Sequence, residues 1–82
     1  MSEASEELEV WVFLWRENGK YVAYEPSTGI ASQGDSIDEA LENLREALEL
    51  YLQEPDAEPP YRITRVTVTR IRIKLPKHRV EA

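Results

Sequence analysis

Residues 9–16, Glu-Val-Trp-Val-Phe-Leu-Trp-Arg, constrain this chain more than any other stretch. The segment is rich in β-branched and aromatic residues and too short for a useful helix, so it predicts a strand. Successive side chains of a strand face opposite ways. Trp11, Phe13 and Trp15 therefore share one side, and Val10, Val12 and Leu14 the other. Both sides are apolar. A strand of this kind is expected at the centre of a sheet with cover on both faces, and the remaining elements must supply that cover.

Asn18-Gly19 follows at once, the strongest short signal for a two-residue type I′ hairpin turn. Lys20 to Glu25 is then the returning strand. With Asn18 and Gly19 at the corners, Glu17 faces Lys20, Trp15 faces Val22 and Phe13 faces Tyr24. One sheet face becomes Trp11, Phe13, Trp15, Val22 and Tyr24; the other becomes Val10, Val12, Leu14, Tyr21 and Ala23. Pro26-Ser27-Thr28-Gly29 turns the chain again, and Ile30 to Gln33 makes a short third strand.

Ser36, with Glu39 three residues on, forms a capping box that satisfies backbone N–H groups at a helix start. Asp38 and Glu39 add negative charge at the positive end of the helix dipole. Ile37, Ala40, Leu41, Leu44, Ala47, Leu48, Tyr51 and Leu52 recur every three or four residues, a single apolar stripe of helical period. Asp38, Glu42, Arg45, Glu46 and Glu49 lie on the wet side. Gln53-Glu54-Pro55 ends the pattern. One helix covers only one sheet face. Periodicity does not fix which face that is; short aliphatic side chains allow the closer approach, so Val10, Val12, Leu14 and Ala23 are the expected side, with the aromatic face as the alternative.

Residues 54–60 are a stiff polar connector, and Tyr61 to Leu75 reads as a last strand. Val66 and Val68 have one parity while Ile71 and Ile73 have the other, so a bulge or a change of partner is expected near Thr69-Arg70. A helical crossover would bring this strand parallel to the first. The expected fold is α+β with element order β-β-β-α-β: a four-stranded, mostly antiparallel sheet of order 3-2-1-4 carrying one helix. A disordered lead-in (residues 1–8), one domain (residues 9–75) and an exposed basic tail (residues 76–82) complete it.

A chain of 82 residues buries barely enough apolar surface to be stable alone, and self-association is the cheapest source of more. It has no cysteine, no signal-peptide pattern and no run of membrane-spanning length, so a cytoplasmic location is expected. The formal charge of −6 conceals an asymmetry. Residues 1–60 set three Lys/Arg against fifteen Asp/Glu, a balance of −12; residues 61–82 set seven against one, a balance of +6. An acidic body suits a basic protein partner better than nucleic acid.

The run from Tyr21 to Glu54 resembles the HicB family of bacterial antitoxins. The matching pieces are Gly19 to Ala23, Glu25-Pro26 with Gly29, Gln33 to Ser36 with Glu39-Ala40-Leu41, and Asn43 to Leu52. The resemblance implies a partial ribonuclease-H-like fold and a role in a toxin–antitoxin system. The protein would bind and occlude a HicA-type toxin, a small basic mRNA-cleaving protein. Many HicB proteins add a DNA-binding domain; this sequence reads as a short, single-domain member.

Catalysis is not expected. A ribonuclease-H-like metal site needs carboxylates converging from neighbouring strands and a helix. The first strand offers only Glu9, residues 61–75 offer none, and capping accounts for those at the helix start. No cofactor or metal is expected, and His78 reads as a tail residue. The aromatic face (Trp11, Phe13, Trp15, Val22, Tyr24) is the expected interface of a homodimer or tetramer, because a wet patch of this size normally marks one. Glu42, Arg45, Glu46 and Glu49 are the expected docking surface for the toxin, their carboxylates standing in for RNA phosphates. The alternative reading is an orphan homo-oligomeric regulator that binds nucleic acid weakly through Arg62, Arg65, Arg70, Arg72 and Lys74.

Overall fold

The Asn18-Gly19 corner sets the sheet. Asn18 (φ 53°) and Gly19 (φ 80°) both take the left-handed backbone that a type I′ turn demands. β1 (Phe13–Glu17) and β2 (Lys20–Glu25) leave the corner antiparallel, with Glu17 opposite Lys20, Trp15 opposite Val22 and Phe13 opposite Tyr24. That is the register the turn requires. β2 then pairs antiparallel with β3 (Ile30–Gly34), giving a three-stranded sheet of order β1-β2-β3. The computed structural model describes residues 7–77; most of the lead-in (residues 1–6) and the end of the tail (residues 78–82, with His78) lie outside the described residues.

β1 is shorter than the sequence suggests, and the register explains why. Continued backwards, the ladder would set Val12 against Glu25 and Trp11 against Pro26. Proline has no N–H to contribute. The chain also turns there, with the Gly29 N–H bonded to the Glu25 carbonyl at 2.9 Å and Gly29 at φ 78°. Residues 7–12 run on toward β1 outside the ladder.

α1 (Ile37–Tyr51) forms where the capping box places it. The Ser36 hydroxyl accepts from the Glu39 N–H at 3.0 Å, and the Glu39 carboxylate accepts from the Asp35 N–H. Ala40, Leu44 and Leu48 on one helix face close over Ala23 to make the core, with Val10, Val12, Tyr21, Ile30 and Leu41 packed around it. The helix thus covers the aliphatic side of the sheet. It lies chiefly on β3, less on β2. Leu14 shares the aliphatic side but stays exposed, as does every residue of β1.

Two expectations are corrected here. The first strand is not central: β2 is, and β1 is an edge. The fourth strand expected over Tyr61 to Leu75, and with it the 3-2-1-4 order of a partial ribonuclease-H-like sheet, is not formed; residues 61–76 carry no strand or helix. The parity change supplies a physical reason. Any register that turns Val66 and Val68 toward α1 also turns Arg70, Arg72 and Lys74 that way. The opposite register turns Arg65 inward with Ile71 and Ile73. No single register buries one clean apolar face.

Gly34 is the tightest joint between sheet and helix. A Cβ there would stand 2.7 Å from the Ala40 backbone nitrogen and 2.9 Å from the Glu39 backbone. Gly34→Ala should push the start of α1 off β3 and destabilise the domain by about 1–3 kcal/mol, the usual range for overpacking. The midpoint of a denaturant titration reads this directly; an unchanged midpoint would mean that the joint has slack. Among the described residues, no helix is long and apolar enough to cross a membrane.

Candidate functional site

Three places are the candidates: the aromatic side of β1, the outer face of α1, and the turn after β2. The first is built by the hairpin. Trp11, Phe13 and Trp15 remain 48%, 43% and 42% exposed, whereas Val22 and Tyr24 beside them on the central strand are half-buried. The Trp15 and Tyr24 rings meet at 6.3 Å and 57°, a tilted pair. Both indole N–H groups are used. Trp15 donates to Glu17 Oε1 at 2.8 Å, and Trp11 donates to the Ile63 carbonyl at 2.8 Å, tethering the start of the C-terminal segment. The polar atoms of the two indoles are satisfied while much of their ring surface stays wet.

Beside this surface, on the helix side, runs an apolar groove. Leu8, Val10 and Val12 form one wall, and Leu41, Leu44 and Leu48 the other. Arg45 and Glu49 stand at its margin. The groove exists because α1 is centred on β3 and β2 and leaves the approach to β1 open.

The outer face of α1 brings Glu42, Arg45, Glu46 and Glu49 together, all exposed. Arg45 donates to Glu42 one turn before it and to Glu49 one turn after, the latter at 2.9 Å. Hydrogen bonding from Arg45 holds the Glu42 carboxyl below its usual range, and the bonds to Glu42 and Glu49 hold Arg45 above its own. Glu46 and Asp38 stay open to solvent on the same helix. The face is acidic, with one guanidinium fixed in it. At the other end of the helix, Lys20 from the hairpin corner pairs with Asp35 just before the cap. Hydrogen bonding to Asp35, then its charge, raises the Lys20 pKa.

The turn after β2 holds a buried carboxylate to which the sequence pattern assigns no role. Glu25 is 1% exposed. Its two oxygens accept the N–H and hydroxyl of Ser27 (2.9 and 2.7 Å) and those of Thr28 (2.9 and 2.5 Å). Burial alone would push this carboxyl up; the four hydrogen bonds outweigh it and hold it below its usual value. A signal was present, since Glu-Pro-Ser-Thr-Gly sets two hydroxyl residues two and three positions after the acid. Glu25 organises the turn with every one of those bonds. Among the described residues, no group of three or more His, Cys, Asp or Glu side chains could hold a metal ion.

Residues 1–65 match the model of a family of unknown function, DUF7387. The chain belongs to that family. The matched stretch takes in the whole sheet, α1, the connector and the first residues after it in this DUF7387 member. The family description names no activity and makes no link to HicB antitoxins. No curated protein and no solved structure matches the chain.

Proposed function

We propose that this DUF7387 member is a non-catalytic binding protein of the antitoxin type. It associates with itself through the aromatic side of β1, and it uses the acidic outer face of α1 to occlude a small basic RNA-cleaving protein of the HicA type in the cytoplasm. The observation that carries the reading is the half-covered sheet: α1 closes the aliphatic side and leaves Trp11, Phe13 and Trp15 nearly half exposed. Each large side chain moved out of water contributes roughly 1.5–3 kcal/mol. In so small a domain, three wet aromatic residues are surface held for a partner. Two further points support the toxin-facing half of the reading. Glu42, Glu46 and Glu49 present negative charge on a rigid helix, and the residues that carry the HicB resemblance include that helix.

The test is co-expression with the product of the adjoining reading frame, followed by an RNA-cleavage assay on that product alone and in complex. The expected result is a stable complex in which cleavage is lost. Glu42→Lys, Glu46→Lys and Glu49→Lys together should weaken the complex by roughly tenfold or more, with a marked change in its salt dependence. Circular dichroism checks that the variant keeps its helix. A complex indifferent to the reversal, or no complex, would contradict this use of α1.

A further inference from the structure

Beyond Ile63 the chain makes no hydrogen bond to the body among the described residues. The Tyr61 N–H bonds Ser27 Oγ at 3.3 Å, Ile63 takes the Trp11 indole, and residues 64–77 are all exposed. Val68 and Ile71 are 85% and 82% exposed. The protein measures 64 Å along its long axis but only 29 and 23 Å across. A chain extended at about 3.3 Å per residue makes such an arm from these residues. Its composition is that of a strand. Eight of the eleven residues from Ile63 to Ile73 are β-branched.

Within the same molecule, and among the described residues, β1 has a free edge. It pairs with β2 on one side only, and all five of its residues are exposed. An arm that lacks a sheet and a sheet edge that lacks a strand are complementary. The charges agree: residues 61–77 carry Arg62, Arg65, Arg70, Arg72, Lys74 and Lys77 with no acid, while residues 7–60 carry three Lys/Arg against thirteen Asp/Glu. We infer that residues 64–75 add as a fourth strand to the free edge of β1 in a second copy of this chain, and that the second copy returns its own arm. One arm and one edge per molecule close the exchange at a two-fold dimer. The groove between residues 8–12 and α1 receives the apolar side chains that the added strand turns toward the helix. The parity change, which spoils a one-sided fit, suits an arm whose two halves meet different covers, one from each copy.

This inference adds a second contact to the self-association proposed above and rests on that reading, but it uses a separate surface. Variants of Trp11 and Trp15 report on the aromatic face, and variants of the arm report on the exchange. Val68→Asp with Ile71→Asp is the decisive pair, because both side chains are solvent-exposed in the single chain and their loss leaves its core intact. In sedimentation equilibrium the unsubstituted protein should dimerise, and the double variant should dissociate at a concentration raised by roughly tenfold or more, its helix content unchanged. The protein has no cysteine among the described residues or elsewhere, so Arg16→Cys and Thr69→Cys chains can be mixed, refolded and oxidised. A disulfide between the two chains supports the exchange. Dimers indifferent to the aspartates would overturn it, as would a monomer that forms the disulfide within a doubly substituted chain. A monomer that binds single-stranded RNA through the arm, with a steep salt slope, would overturn it in favour of a nucleic-acid role.

Discussion

Leu44→Ala should destabilise the domain by about 2–5 kcal/mol, the range for emptying a well-packed leucine site. Leu44 sits in the middle of the inward stripe of α1, buried between Ala40 and Leu48 and closed below by Ala23. Ala23 and Ala40 are small and fully buried, so their backbones approach closely and neither side chain can swing in to fill a hole. The described core has only four buried apolar members, which leaves Leu44 without a substitute. Urea titration monitored by helix signal is the measurement, with the slope expected to hold and the midpoint to fall. A loss under about 1 kcal/mol would mean that the helix and sheet collapse onto the vacancy.

Glu25→Ala should produce the other large loss. The Ser27 and Thr28 N–H groups would lose their acceptor in a half-buried turn, at about 1–3 kcal/mol for each donor left unmet. The effect carries a pH signature. In the folded protein the Glu25 carboxyl is held below its ordinary value. Its contribution is therefore complete above the unfolded carboxylate pKa of about 4.3 and is lost as the pH falls through the lower folded value. Stability of the native protein should decline with acidification in that window. Glu25→Gln should start lower at neutral pH and show a flatter acid limb. A native-like acid limb in the glutamine variant would move the pH dependence to other carboxylates.

What the sequence made legible was local chemistry. Asn18-Gly19 admits one tight corner, and that corner fixes the pairing of Phe13 with Tyr24. Ser36 and Glu39 mark the start of α1, and the three- and four-residue spacing marks the face that meets Ala23. Two features escaped because their signals are not periodic. Glu25 is buried by a turn that its own carboxylate builds, and Gly34 is required by a helix backbone six residues further on. The fourth strand was misread for a different reason. The β-branched run from Ile63 to Ile73 favours extended chain, but extended chain is a strand only when an edge receives it. The alternation that would have named a receiving face changes parity at Thr69-Arg70. The aromatic side of β1 was visible at once, because two apolar sides on one ribbon cannot both be served by a single helix.

The most direct check of that half-covered sheet is tryptophan emission followed through a dilution series beside sedimentation. Trp11 and Trp15 are the only two indoles, and both lie on the open side. Concentrated protein should sediment as an oligomer with blue-shifted emission, and dilution should release monomers whose emission moves to the red as the rings become wet. A particle that stays monomeric at every concentration, with emission already blue, would contradict the account.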